Sequence, residues 1–143
     1  MITLPNQVFF NPTTAFGIWI ERQPLVYDVG AGVGLLGSKW PHIVVGFDLH
    51  DRDGYMSTVQ WGDGTLYNYK PRSVVLLARP SHGWWVGEAF DQAFHCGSRP
   101  FYCGLQRNYE DDLSGYDYEL VVDHAGNDGE QLLEITGTNE DHA

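Results

Sequence analysis

PLVYDVGAGVGLLGSKWPHIVVGFDL spans residues 24–49, and its reading decides the fold. PLVYDV (24–29) has strand character and carries Asp28 near its end. Three glycines then alternate, Gly30, Gly32 and Gly34. GLLGSKW (34–40) reads as a short helix, interrupted by Gly37 and stopped by Pro41. HIVVGFDL (42–49) is a continuous apolar run, the pattern of a strand covered on both faces. Strand, glycine turn, helix and second strand make the repeating unit of an α/β layer.

The rest of the chain extends that alternation. TTAFGIWIER (13–22) is helical, with Thr13 or Thr14 as cap, and forms a lead-in over residues 1–23. STVQW (57–61) is a third strand and SVVLLA (73–78) the clearest strand of all. HGWWVGEAFDQAF (82–94) has helical spacing at Trp85, Ala89, Gln92 and Ala93. PFYCGLQ (100–106) is another strand. YELVVDH (118–124) and EQLLEIT (130–136) flank AGNDG, a strong hairpin turn. The expected architecture is a three-layer, Rossmann-like α/β fold. It has a mostly parallel sheet, a C-terminal antiparallel hairpin and short helices. One domain covers residues 1–143, with a frayed tail over 138–143.

Composition sets the limits. The chain has 143 residues, enough for one domain with a core of its own. With 43% apolar and 14% aromatic residues it is globular in composition. No apolar run reaches the roughly 18 residues of a membrane span. The start, MITLPNQVFF, lacks the basic and apolar segments of a secretory signal, so a cytoplasmic, membrane-free protein is expected. Cys96 and Cys103 are too few for a disulfide framework. With His95 they lack the paired spacing of a zinc site, so no metal is expected.

The net charge of −11 is unevenly spread. Residues 70–107 hold five Lys/Arg against two acids, whereas residues 108–143 hold eleven acids and no Lys/Arg. A field of that sign disfavours nucleic acid, whose binding rests on phosphate neutralisation. The acidic third serves solubility, or it is a contact surface for a basic partner. The oligomeric state is not legible.

The glycine turn carries the chemistry. In open α/β sheets a ligand sits beyond the carboxyl ends of the strands, where strand order reverses. Glycine there tolerates positive φ and brings no Cβ between backbone and ligand. Gly32-Val-Gly34-Leu-Leu-Gly37 satisfies the dinucleotide fingerprint G-x-G-x-x-G. Yet Gly30 already holds the strand-end place which that fingerprint gives to its first glycine. Read from Asp28 through Gly30-Ala31-Gly32-Val33-Gly34, the turn instead resembles motif I of class I S-adenosylmethionine (SAM)-dependent methyltransferases. The resemblance implies a minimal member of that family with SAM as cofactor. It implies that Gly30, Ala31, Gly32 and Gly34 form the cofactor turn and that Asp28 faces the methionine amino group. In VVGFDLHD, eighteen residues after Gly30, it puts Asp48, followed by Leu49, on the ribose hydroxyls. In QWGDGT it puts Asp63 near the adenine amino group.

SVVLLARPSHGWW fills the place of the fourth strand and the loop that faces the transferred methyl. Family members that methylate DNA or protein glutamine carry Asn or Asp followed by Pro-Pro-Tyr there. This chain has Arg79-Pro80-Ser81-His82, which argues against amino-group methylation of that type. By position, Arg79 and His82 become the candidate catalytic residues, Arg79 as an anion clamp and His82 as a general base. Each residue also has an ordinary use. Asp48 and Asp63 are good turn formers, Arg79 is a surface cation, His82 a cap, and Trp84 and Trp85 are core.

Two functions from different classes follow. One is a SAM-dependent methyltransferase acting on a small molecule or a protein. The other is a catalytically silent domain that keeps the fold and docks a partner through its acidic last third. A nicotinamide dinucleotide site survives only through the overlapping fingerprint, and no second substrate domain supports it.

Overall fold

The computed structural model describes residues 10–31, 35–48, 59–80 and 85–142, with the backbone alone for 59–61. Its elements in chain order are α1 (Thr14–Ile20), β1 (Val26–Val29), α2 (Leu35–Lys39), β2 (Val44–Asp48) and β3 (Val59–Trp61). Then come β4 (Val74–Ala78), α3 (Trp85–His95), β5 (Arg99–Gly104), α4 (Gln106–Asp112), β6 (Tyr116–Val122) and β7 (Gln131–Thr138). The strands form one seven-stranded sheet in the order β3-β2-β1-β4-β5-β7-β6. The first five strands are parallel; β7 runs antiparallel between β5 and β6. Strand order reverses between β1 and β4, the place at whose carboxyl ends open α/β sheets take their ligands.

The three-layer expectation holds. Alternation along β1, β2 and β4 sends Val26, Val44, Val74 and Leu76 to one face. There they pack with Phe16 and Ile20 of α1 and with Leu36 of α2. Tyr27, Val29, Phe47, Val75 and Leu77 go to the other face, against α3 and α4. β4 sits in the middle, and its Val74, Val75, Leu76 and Leu77 are all fully buried. A central parallel strand touches helices on both sides, so SVVLLA has no polar alternation.

The helices show why some local readings shift. Thr13 caps α1: its Oγ1 accepts from the Phe16 amide and donates to the His124 carbonyl, tying the helix to the hairpin. In α3 the buried face is Val86, Ala89, Phe90 and Ala93, not the row Trp85, Ala89, Gln92, Ala93. Val86 and Phe90 supply the larger apolar surface, so they turn inward. Gln92 is left at the rim, where its amide donates to the Tyr67 carbonyl. α4 has no counterpart in the sequence reading. Its seven residues, QRNYEDD, bury only Tyr109, so the hydrophobic period is missing. Among the described residues no helix is long and apolar enough to cross a membrane.

Candidate functional site

The carboxyl ends of β1, β2, β3 and β4 form a row, held by backbone hydrogen bonds that run past the strand ends. The Gly30 and Ala31 amides both donate to the Phe47 carbonyl, at 2.8 and 2.9 Å. The Gly62 amide donates to Asp48 and the Arg79 amide to Cys103. Gly30 has φ +77°, the left-handed region that favours glycine, so the chain turns away from β1 immediately after Val29. A Cβ on Gly30 would meet the indole of Trp85 at 3.3 Å, so the tryptophan lies against the turn.

Two acids stand at this row. Asp28 registers with Gly46, and Asp48 lies two residues further along β2. The two-residue period puts both on the face of Val26 and Val44, toward α1 and α2. Asp28 is 3% exposed and Asp48 6%. Burial raises the Asp28 carboxyl from 3.8 to about 7, and the charge of Asp48 pushes in the same direction. The Asp28 side chain has no hydrogen bond or cation among the described residues. Nearly complete burial of a carboxylate in that condition is costly unless something compensates it.

Asp63 follows β3 and is half-buried. Its Oδ1 accepts from the Thr65 amide at 2.9 Å and from the Thr65 hydroxyl at 2.7 Å, closing a tight turn. Gly64 seats that turn on β1, because a Cβ there would collide with the Val29 side chain and the Tyr69 hydroxyl. The Tyr69 hydroxyl donates to the Gly64 carbonyl at 2.6 Å, and burial raises its pKa.

At the tip of β4, Arg79 has φ +48°, unusual for a residue with a side chain. Its Nη1 lies 3.3 Å from both Glu130 Oε2 and Asp128 Oδ2. Glu130 is fully buried, and its Oε1 also accepts from the Asp128 amide at 3.0 Å. Arg79 therefore ties β4 to the hairpin turn.

Asp28, Gly30, Ala31, Asp48, Asp63 and Arg79 thus stand on one edge of the sheet. Gly32, Gly34, Leu49 and His82 lie outside the described residues, as does Trp84. The sequence reading missed two supports. Gly64 is visible in QWGDGT only as a turn glycine. Glu130 adjoins a hairpin turn and pairs with a residue 51 positions earlier, a separation that leaves no local signal.

No protein-family model matches the chain, and no curated protein does. Solved structures do. The 23S rRNA methyltransferase ErmE is similar over 92% of this chain and 70% of that one, at 13% identity and a TM-score of 0.56. The methyltransferase domain of bacterial CtHen1-CN is similar over 85% of this chain and 96% of that one, at 10% identity and a TM-score of 0.54. At these identities the likeness is one of fold: this chain shares the Rossmann-like fold of these two methyltransferases.

Proposed function

We propose that the chain binds SAM across the carboxyl ends of β1, β2 and β3 and transfers its methyl group to a small molecule or a protein. The observation that carries this reading is Asp28, a buried carboxylate with no compensating group among the described residues, two residues before a left-handed glycine. Such a group fits a ligand that brings a cation, and SAM brings an ammonium group. When bound, SAM supplies a methyl group on a positively charged sulfur.

The residues divide the task. Asp28 takes the ammonium, and its raised pKa means that a cation draws out the ionised form near neutral pH. Gly30, Ala31, Gly32 and Gly34 let the backbone approach. Asp48, with Leu49, holds the ribose hydroxyls. Asp63 spends Oδ1 on its own turn and keeps Oδ2 for the adenine amino group. Arg79 is anchored through Nη1 and offers its remaining N–H groups to an anionic group at the mouth. His82 is the base, where the acceptor needs one. Methyl transfer asks mainly for alignment of nucleophile, methyl and sulfur, so most of the work is positioning.

The test is calorimetric titration with SAM, S-adenosylhomocysteine and NAD in one buffer. Micromolar binding of the first two and none of NAD is expected. Failure of both adenosyl compounds to bind overturns the reading, and binding of NAD alone replaces it with a dinucleotide site.

A further inference from the structure

The far end of the sheet carries a second feature, independent of the cofactor reading. β6 is the outer strand; it pairs with β7, and among the described residues no strand pairs with its other edge. Five consecutive residues, Asp117 to Val121, are exposed. Tyr118, Leu120 and Val121 expose 40%, 53% and 40% of their surface, a concentration of apolar area on an unprotected edge. Free edges are templates for another strand, and proteins commonly blunt them with Lys or Pro. β6 has neither. Its charged residues are Asp117 and Glu119, and Asp123 follows directly.

The charge selects the occupant. Asp117 and Glu119 have no ion pair or hydrogen bond among the described residues, whereas Glu134, the partner of Glu119 on β7, is held by Arg99 at 2.9 Å. No Lys or Arg lies anywhere in residues 108–143. A second copy of the chain would set acid against acid across the new ladder, which destabilises it. A nucleic-acid strand meets the same repulsion. Shifts in register between Asp117 and Tyr118, and between Leu120 and Val122, confine the regular edge to Tyr118–Leu120. So short a ladder leans on its side chains. We propose that β6 accepts a short, extended, basic segment of a protein partner by strand addition. Lys or Arg of that segment faces Asp117 and Glu119, and its apolar residues cover Tyr118 and Leu120.

The probe is a nonapeptide of alternating Lys and Val, titrated into the full chain while backbone amide resonances are followed. Shifts centred on residues 116–123 and on β7 are expected, with affinity falling at least tenfold in Glu119→Lys. Glu119 is exposed, so the unliganded spectrum of that variant should stay native away from the substitution. The same peptide N-methylated at every residue keeps its charges, loses its N–H donors, and should not bind. The proposal is overturned by no binding, by shifts elsewhere, or by equal binding of the methylated peptide, which would indicate a charge coat only. It is also overturned by sedimentation showing self-association that Glu119→Lys changes, since a second copy would then be the occupant.

Discussion

Asp28 and Glu130 are both nearly or wholly inaccessible carboxylates, at opposite halves of one sheet. Glu130, beside the antiparallel hairpin, has the Arg79 guanidinium and the Asp128 amide. Asp28, at the end of a parallel strand, has among the described residues only the like charge of Asp48 nearby, and its pKa rises to about 7. Burial alone therefore does not mark a functional acid. What separates the two is compensation: Glu130 is paired with a cation, and Asp28 has no such partner among the described residues.

The largest expected effect falls on the paired side. Glu130→Ala removes the buried partner of Arg79 and leaves its mostly buried charge with the exposed Asp128 alone among the described residues, so the cost should approach the roughly 3–5 kcal/mol of a broken buried pair. Urea unfolding measures it, and a loss under about 1 kcal/mol would break the comparison. Asp28→Asn should do the reverse. Folded Asp28 keeps its proton up to about pH 7, whereas the unfolded carboxyl releases it near 3.8. Folding stability therefore falls between those values as pH rises, and stays level above them. Replacing the carboxyl by an amide removes that contribution and should raise stability at pH 7.5 by on the order of 2–4 kcal/mol. Urea curves at pH 5 and 7.5 show whether the pH dependence flattens in the variant.

Asp48→Ala sharpens the ligand side: SAM affinity should drop by roughly 1–3 kcal/mol, the scale of hydrogen bonds to a charged group. Unchanged affinity would remove Asp48 from the site. The smallest effect belongs to an exposed pair. His142 lies 3.5 Å from Asp91 near the chain end, with both side chains more than a quarter exposed. His142→Ala should cost under about 1 kcal/mol, because water already compensates both groups. Thermal unfolding reads this control.

The parallel half of the fold was legible because its strands are covered on both faces and therefore read as apolar runs, SVVLLA above all. The turn at Gly30 was legible because a glycine directly after a strand end suits a left-handed φ. α4 was not, since six of its seven side chains face outward or stay at the surface. Nor was the difference between Asp28 and Glu130. Both are single acids near turns in sequence, and what distinguishes them is Arg79, brought to one and not the other by the order of strands.

The most direct measurement is SAM binding calorimetry at pH 6 in two buffers of different ionisation enthalpy, for the native chain and for Asp28→Asn. At that pH Asp28 in the free protein is largely protonated, and the ammonium of SAM is charged. If the carboxylate compensates that cation, binding expels a proton from Asp28, and the native chain should release close to one proton per SAM. Asp28→Asn should release none and bind at least tenfold more weakly. Equal affinity and equal proton release in the two proteins would contradict the account, leaving Asp28 a buried acid with no cation to meet.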